Sequence, residues 1–157
     1  MMKRCTVEDN ALVCSILGHP SIYPWVTDDS APPLAFLDYT PFLALDAVYV
    51  LMPRPGCLAI FMPKNGVTWE VHSAALPEAR GAKVTDAARE ALAWMFENTP
   101  CRKVVTCVPS FNSLALRLAK QTGMVLEGVN RRSFLKDGVI YNQTLLGICK
   151  EEQLCRQ

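Results

Sequence analysis

Apolar and polar positions alternate most clearly between Val67 and His72. Val67, Trp69 and Val71 fall on one side of an extended chain, and Thr68, Glu70 and His72 on the other. That pattern predicts a half-buried strand. A small-residue passage then leads into the turn Leu76-Pro77-Glu78-Ala79-Arg80-Gly81-Ala82-Lys83, after which the period changes. Ala88, Ala91, Leu92, Met95 and Phe96 recur at helical spacing. Thr85 reads as the N-cap, Asp86 suits the dipole of the first turn, and Asn98-Thr99-Pro100 ends the helix. A strand, a tight Arg-Gly turn and a helix leave free backbone N–H groups between the cations Arg80 and Lys83. Such a terminus suits a phosphate or pyrophosphate. The other reading of the same residues is a plain structural turn with solvated cations.

Downstream, Lys103 to Val108 reads as a buried strand stopped by Pro109. Ser110-Phe111-Asn112 opens a second helix that runs through Lys120 and closes at Gly123. Met124–Leu135 and Val139–Ile148 form a hairpin around Lys136-Asp137-Gly138. Upstream, Thr6 caps a helix over Val7–Leu17, with Val7, Leu12 and Ile16 among its apolar positions and Glu8 and Asp9 in its first turn. Gly18-His19-Pro20 ends it. Ser21 to Pro33 is an irregular or partly helical connection, punctuated by Pro24, Asp28-Asp29-Ser30 and Pro32-Pro33. Ala47–Leu51 and Cys57–Met62 are strands joined through Pro53-Arg54-Pro55-Gly56. Lys64-Asn65-Gly66 leads on to the organising strand, and Asn-Gly there predicts a type I′ hairpin.

The elements sum to an α/β fold with a mixed central sheet flanked by helices. Its order is an antiparallel meander, a helix crossover to a parallel neighbour, and a C-terminal hairpin. The 157 residues suit one domain, 1–157. Half of them are hydrophobic, which supplies a core, and a net charge of +1 argues against a partner held by phosphate neutralisation, so no nucleic acid is expected. Seven cysteines without a C-x-x-C pair or a signal peptide suit free thiols in a reducing compartment. They read as buried small hydrophobes rather than nucleophiles. His19 and His72 lack cysteines at ligand spacing, so no metal is expected. No apolar run reaches the length of a membrane span, and the protein is expected to be soluble and cytoplasmic.

Asn112-Ser113-Leu114-Ala115 through Gly123-Met124, with Arg131–Gly138 after it, resembles the corresponding region of the GCN5-related N-acetyltransferase (GNAT) fold family. The likeness covers 67–148 well and the preceding half loosely, and 131–138 continues in the manner of the ribosomal-protein acetylating branch. Trp69-Glu70-Val71-His72 followed by Leu76–Gly81 is similar to small phage-encoded members, some linked to head assembly in short-tailed phages. The cytoplasm would then be that of the host cell. The resemblance implies acetyl-CoA as cofactor and an amine of a small molecule or protein as acceptor. A different reading keeps the fold without the chemistry, as an assembly factor acting on a virion structural protein, with a protein partner or a second copy of itself.

The family pattern Arg/Gln-x-x-Gly-x-Gly/Ala falls on Arg80, Gly81, Ala82, Lys83, Val84 and Thr85. Arg80 matches, while Lys83 and Thr85 replace the two glycines. Backbone donors survive that exchange, but each Cβ takes room from a phosphate. Asn112 stands where the family contacts the pantetheine arm, and it also reads as an N-cap or Asx turn. The family's thiolate-acid tyrosine would fall at Ala119 and is absent. Glu70 is the carboxylate on the strand beside the implied thioester and a candidate general base, with surface pairing as its alternative. His72, two residues on, is a candidate base or relay. The aromatics Tyr23, Trp25, Phe36 and Tyr39 either close the core or line an acceptor pocket.

Overall fold

The computed structural model describes residues 1–155, so the last two residues of the expected domain lie outside it. The strand β1 (Lys3–Arg4) leads through a 3₁₀ turn at Val7–Asp9 into α1 (Asn10–Leu17). The short helices α2 (Tyr23–Val26) and α3 (Thr40–Leu43) follow. Next come β2 (Tyr49–Arg54), β3 (Cys57–Pro63) and β4 (Thr68–Ala75), then α4 (Ala82–Asn98). The chain finishes with β5 (Lys103–Pro109), α5 (Ser113–Gln121), β6 (Val125–Lys136), β7 (Val139–Cys149) and α6 (Lys150–Leu154).

The seven strands make one sheet in the order β1-β2-β3-β4-β5-β7-β6, antiparallel throughout except for β4 beside β5. This is the expected meander, parallel crossover and hairpin. Strand β1 and helix α6 were not foreseen from the sequence.

Each sheet face is closed by a separate apolar cluster. Phe61, Leu51, Trp69 and Val104 pack against Leu92, Met95 and Phe96 of α4. On the other face Val50, Leu58 and Ala74 pack against Val13, Ile16 and Leu17 of α1. The alternation along β4 follows from this arrangement: Trp69 and Val71 are buried, Glu70 half-buried and His72 exposed. Burying a side chain such as Phe61 contributes on the order of 2–3 kcal/mol.

Three local expectations change. The N-cap of α4 is Gly81, not Thr85, because Gly81 takes φ +93° and ψ −153°, a conformation essentially reserved for glycine, and the helix begins at once. The loop at Asn65-Gly66 has no positive φ and is not type I′. Asn65 Oδ1 instead accepts from the N–H of Val67 (3.0 Å) and Thr68 (2.9 Å), an Asx turn that holds a wider loop. Type I′-like geometry appears at Asp137-Gly138, with φ +51° and +74°. In the first helix Val7 and Leu12 face solvent, and the buried stripe is Val13, Ile16 and Leu17. The 3₁₀ start, with Asp9 accepting from Thr6 N–H at 2.9 Å, shifts the phase of the helix that follows.

Among the described residues no helix is long and apolar enough to cross a membrane. Among them, too, no group of three His, Cys, Asp or Glu is placed to hold a metal ion.

Candidate active site

The parallel pairing of β4 and β5 runs only from Thr68↔Lys103 to Glu70↔Val105. Beyond it β4 stays paired with β3 as far as Ala75, and β5 with β7 as far as Pro109. The two strands therefore part inside the sheet. The last link across them is the Thr106 hydroxyl, which donates to Val71 O at 3.0 Å. Since Val71 O faces β5, strand alternation points the N–H and C=O of Ser73 into the gap as well. Two connected cavities fill this gap. The inner one, about 160 Å³, includes Val71, His72, Ser73, Cys107 and Ala119 in its wall. The outer one, about 420 Å³, runs between α2 and α5 to the start of α4.

At the outer end no side chain caps α4. The N–H groups of its first residues are thus unsatisfied by the helix, and the positive end of its dipole faces the cleft. Gly81, Ala82, Val84 and Thr85 line this end. A Cβ on Gly81 would meet no atom within 4 Å, so the backbone there is open to approach. Thr85 Oγ1 donates to Gln121 Oε1 at 3.2 Å, across to α5. Lys83 is exposed and lies outside the cleft wall. Arg80 also lines the cleft, but its guanidinium is engaged: Nε donates to Ala75 O at 3.0 Å, and Nη2 to Ser21 O at 3.0 Å and Ser21 Oγ at 3.2 Å. It ties the end of β4 to the segment before α2. Arg117 of α5 adds a second cation that the sequence pattern did not single out. Asn112 caps α5, accepting from Ala115 N–H at 3.1 Å, and its side chain lines both cavities.

At the inner end, where the strands part, Glu70 and His72 share a face of β4. Glu70 Oε2 accepts from Lys64 Nζ at 2.8 Å, and Oε1 lies 3.5 Å from His72 Nε2. Lys64 and His72 thus bracket the carboxylate, and of the two residues read as candidate bases His72 is the one that reaches the cleft wall. About half of the His72 side chain meets solvent, yet the protein packed around the rest of it disfavours the charged ring and lowers its pKa below the ordinary value, opposed by the Glu70 carboxylate and reinforced by Lys64. Cys107, read from sequence as buried packing, stands on the cleft wall; burial first, and Glu70 second, push its thiol pKa up. A raised thiol is a poor nucleophile, in keeping with the sequence reading of its chemistry.

Above this end sits an aromatic group assembled from four separate elements. The Phe111 ring lies 4.8 Å from Tyr141, 5.9 Å from Phe134 and 6.2 Å from Trp25, centroid to centroid. Trp25 and Phe134 line the inner cavity. Of these only Trp25 was foreseen as a cleft residue, because β6, β7 and the turn after β5 reach it through tertiary folding alone.

No protein-family model matches the sequence, and no curated protein matches it. Solved structures do. The spermidine N-acetyltransferase of Vibrio cholerae, in complex with CoA and spermine, superposes with a TM-score of 0.80 at 17% identity over 98% of this chain and 97% of that one. A chimera of that enzyme with hSSAT gives 0.80 at 16% identity over 99% of both chains. Mutant forms of the same enzyme with glutamate changed to glutamine give 0.79 at 16% identity, over 99% of this chain and 96% of that one. The chain therefore has the GNAT fold.

Proposed function

We propose that the protein is a CoA-dependent N-acyltransferase, taking acetyl-CoA as donor and an amine of a small molecule or protein as acceptor. One observation carries this: β4 and β5 separate beside an uncapped helix N-terminus, with His72 and Glu70 at the point of separation. The gap fits the cofactor. The amides at Gly81 and Ala82, with Arg80 and Arg117 nearby, form a cradle for phosphates. The backbone of Ser73 and the side chain of Asn112 offer hydrogen bonds along the cleft to an extended amide-bearing arm. Thr85 occupies part of the space that a glycine would leave, yet the outer cleft still measures about 420 Å³. The fold match to an enzyme described with CoA points the same way.

Bound acetyl-CoA supplies an activated acyl carbon whose bond to sulfur is exchanged for one to the acceptor nitrogen. The chain's own part is to place the amine and take its proton. With His72 Nε2 facing Glu70, Nδ1 is the nitrogen left to accept. The lowered pKa keeps the ring neutral at neutral pH, the state a base requires. Glu70 positions the ring and steadies the charge it acquires. Ala119 offers no acid for the thiolate, so that proton comes from solvent.

The test is thermal denaturation with CoA. At a hundred times its dissociation constant, CoA should add about 2.7 kcal/mol of stability. A melting temperature unmoved at millimolar CoA would exclude the reading.

A second reading, the phage assembly factor, is favoured by apolar side chains that line neither cavity: Leu34, Phe36 and Leu45 are each at least half exposed. It requires a partner or a second copy on that surface, and Phe36→Ser should then change the oligomeric state in solution.

A further inference from the structure

The two cavities share a chemical bias that narrows the acceptor. Among the described residues lining them, none is Asp or Glu. The charged side chains of the outer cavity are Arg80 and Arg117, both cations. Three nearby carboxylates already have partners. Glu70 is held by Lys64 and His72. Asp29 accepts from the N–H of Asp137 at 2.7 Å and Gly138 at 2.9 Å, and Asp28 from Ser30. An acceptor with several ammonium groups would lose water around each of them and find no anion in return.

The aromatic side offers the opposite. Trp25 is 53% exposed and leans on Phe111, which also braces Phe134 and Tyr141. Rings held this way present flat apolar area, and they lose little conformational freedom when another ring packs on them. Their faces tolerate one cation close by. His72 stands on the same inner cavity as Trp25 and Phe134.

Resting on the N-acyltransferase reading above, we propose that the acceptor is a small primary amine with a single positive charge and an aromatic ring. The ring packs on Trp25 and Phe134, and the amine reaches His72. A polyamine, the ligand described for the Vibrio cholerae neighbour, is the wrong shape of charge for this cleft.

The experiment measures binding of 2-phenylethylamine and spermidine to the full chain by calorimetry, with and without CoA, and CoA thiol release for both. The expected result is 2-phenylethylamine binding at least tenfold tighter than spermidine, and the same order in kcat/KM wherever turnover is seen. Phe134→Leu should weaken the aromatic amine about tenfold while CoA binding is kept, because Phe134 lines only the inner cavity, and Trp25→Ala should weaken the aromatic amine in the same direction. Spermidine binding equally well or better, or neither amine binding, overturns the proposal. Failure to bind CoA is a separate result and counts against the N-acyltransferase reading instead.

Discussion

The Glu70 carboxylate stands 3.5 Å from the His72 ring, one on each side of a single β4 residue, Val71. A strand places alternate side chains on one face, so this pair is set by the local backbone and needs no loop to assemble it. His72→Gln should lower turnover by roughly 10², the ordinary size of a general-base contribution. Glu70→Gln should cost less, and it should move the acid limb of the rate profile to lower pH, because the group that raises the His72 pKa is gone. A Glu70→Gln profile that shifts upward would contradict the arrangement.

The same ring has a stability signature. Its folded pKa lies below the ordinary value of 6.5, so the unfolded chain binds the proton more readily. Stability should therefore fall as pH drops through about 6.5. His72→Gln removes that part of the acid loss. Urea unfolding of both proteins between pH 7.5 and 5 checks the difference.

Gly81 sets the backbone at the start of the proposed phosphate cradle. Its φ of +93° with ψ −153° penalises any side chain even though space is open around it. Gly81→Ala should destabilise by about 1–3 kcal/mol through backbone strain. Arg80→Ala should lower the melting temperature without ligand as well as abolishing the rise with CoA, since Arg80 also bonds Ala75 and Ser21. A variant with an unchanged resting melting temperature would show those bonds to be idle.

Asp29 clasps the tip of the last hairpin. Its pKa is lowered by the bonds from Gly138 and then Asp137, so the clasp is intact above its ordinary value of 3.8 and is lost as pH falls through the depressed one. Asp29→Ala should speed amide exchange at Asp137 and Gly138 while β5 and β7 keep their protection.

Thiol labelling separates the cysteines. Cys155 is exposed, and Cys107 is half-buried with its pKa raised. At pH 7 iodoacetamide should modify Cys155 first and leave Cys107 largely untouched, as mass spectrometry would show.

What the sequence disclosed was local. The run from Val67 to Phe96 declared a strand and a helix by its change of period, and Asn112 declared a cap that the structure confirms. Thr85 misled because threonine is a good cap by type, while Gly81, four residues earlier, holds a conformation that starts the helix sooner. Asn65-Gly66 misled because the asparagine side chain could satisfy the backbone by itself. The aromatic wall was illegible. Phe111, Phe134 and Tyr141 lie on three segments with no shared period, and only the pairing of β5, β7 and β6 brings them together.

The parting of β4 from β5 also has a mechanical meaning. Three residue pairs and one hydroxyl are the strand-to-strand links between a four-stranded half of the sheet and a three-stranded half. Among the pairings of the longer strands β2 to β7, ladder pairs are fewest at this seam, and only the two-residue rim strand β1 is held by fewer, so yielding under load within the body of the sheet concentrates along it. A slender guest lying in that seam would act as a missing rung, coupling two plates that otherwise flex about Glu70 and Val105. Tightness of the sheet and occupancy of the cleft are then one property, and a probe of stiffness across the seam reports on the ligand without touching it.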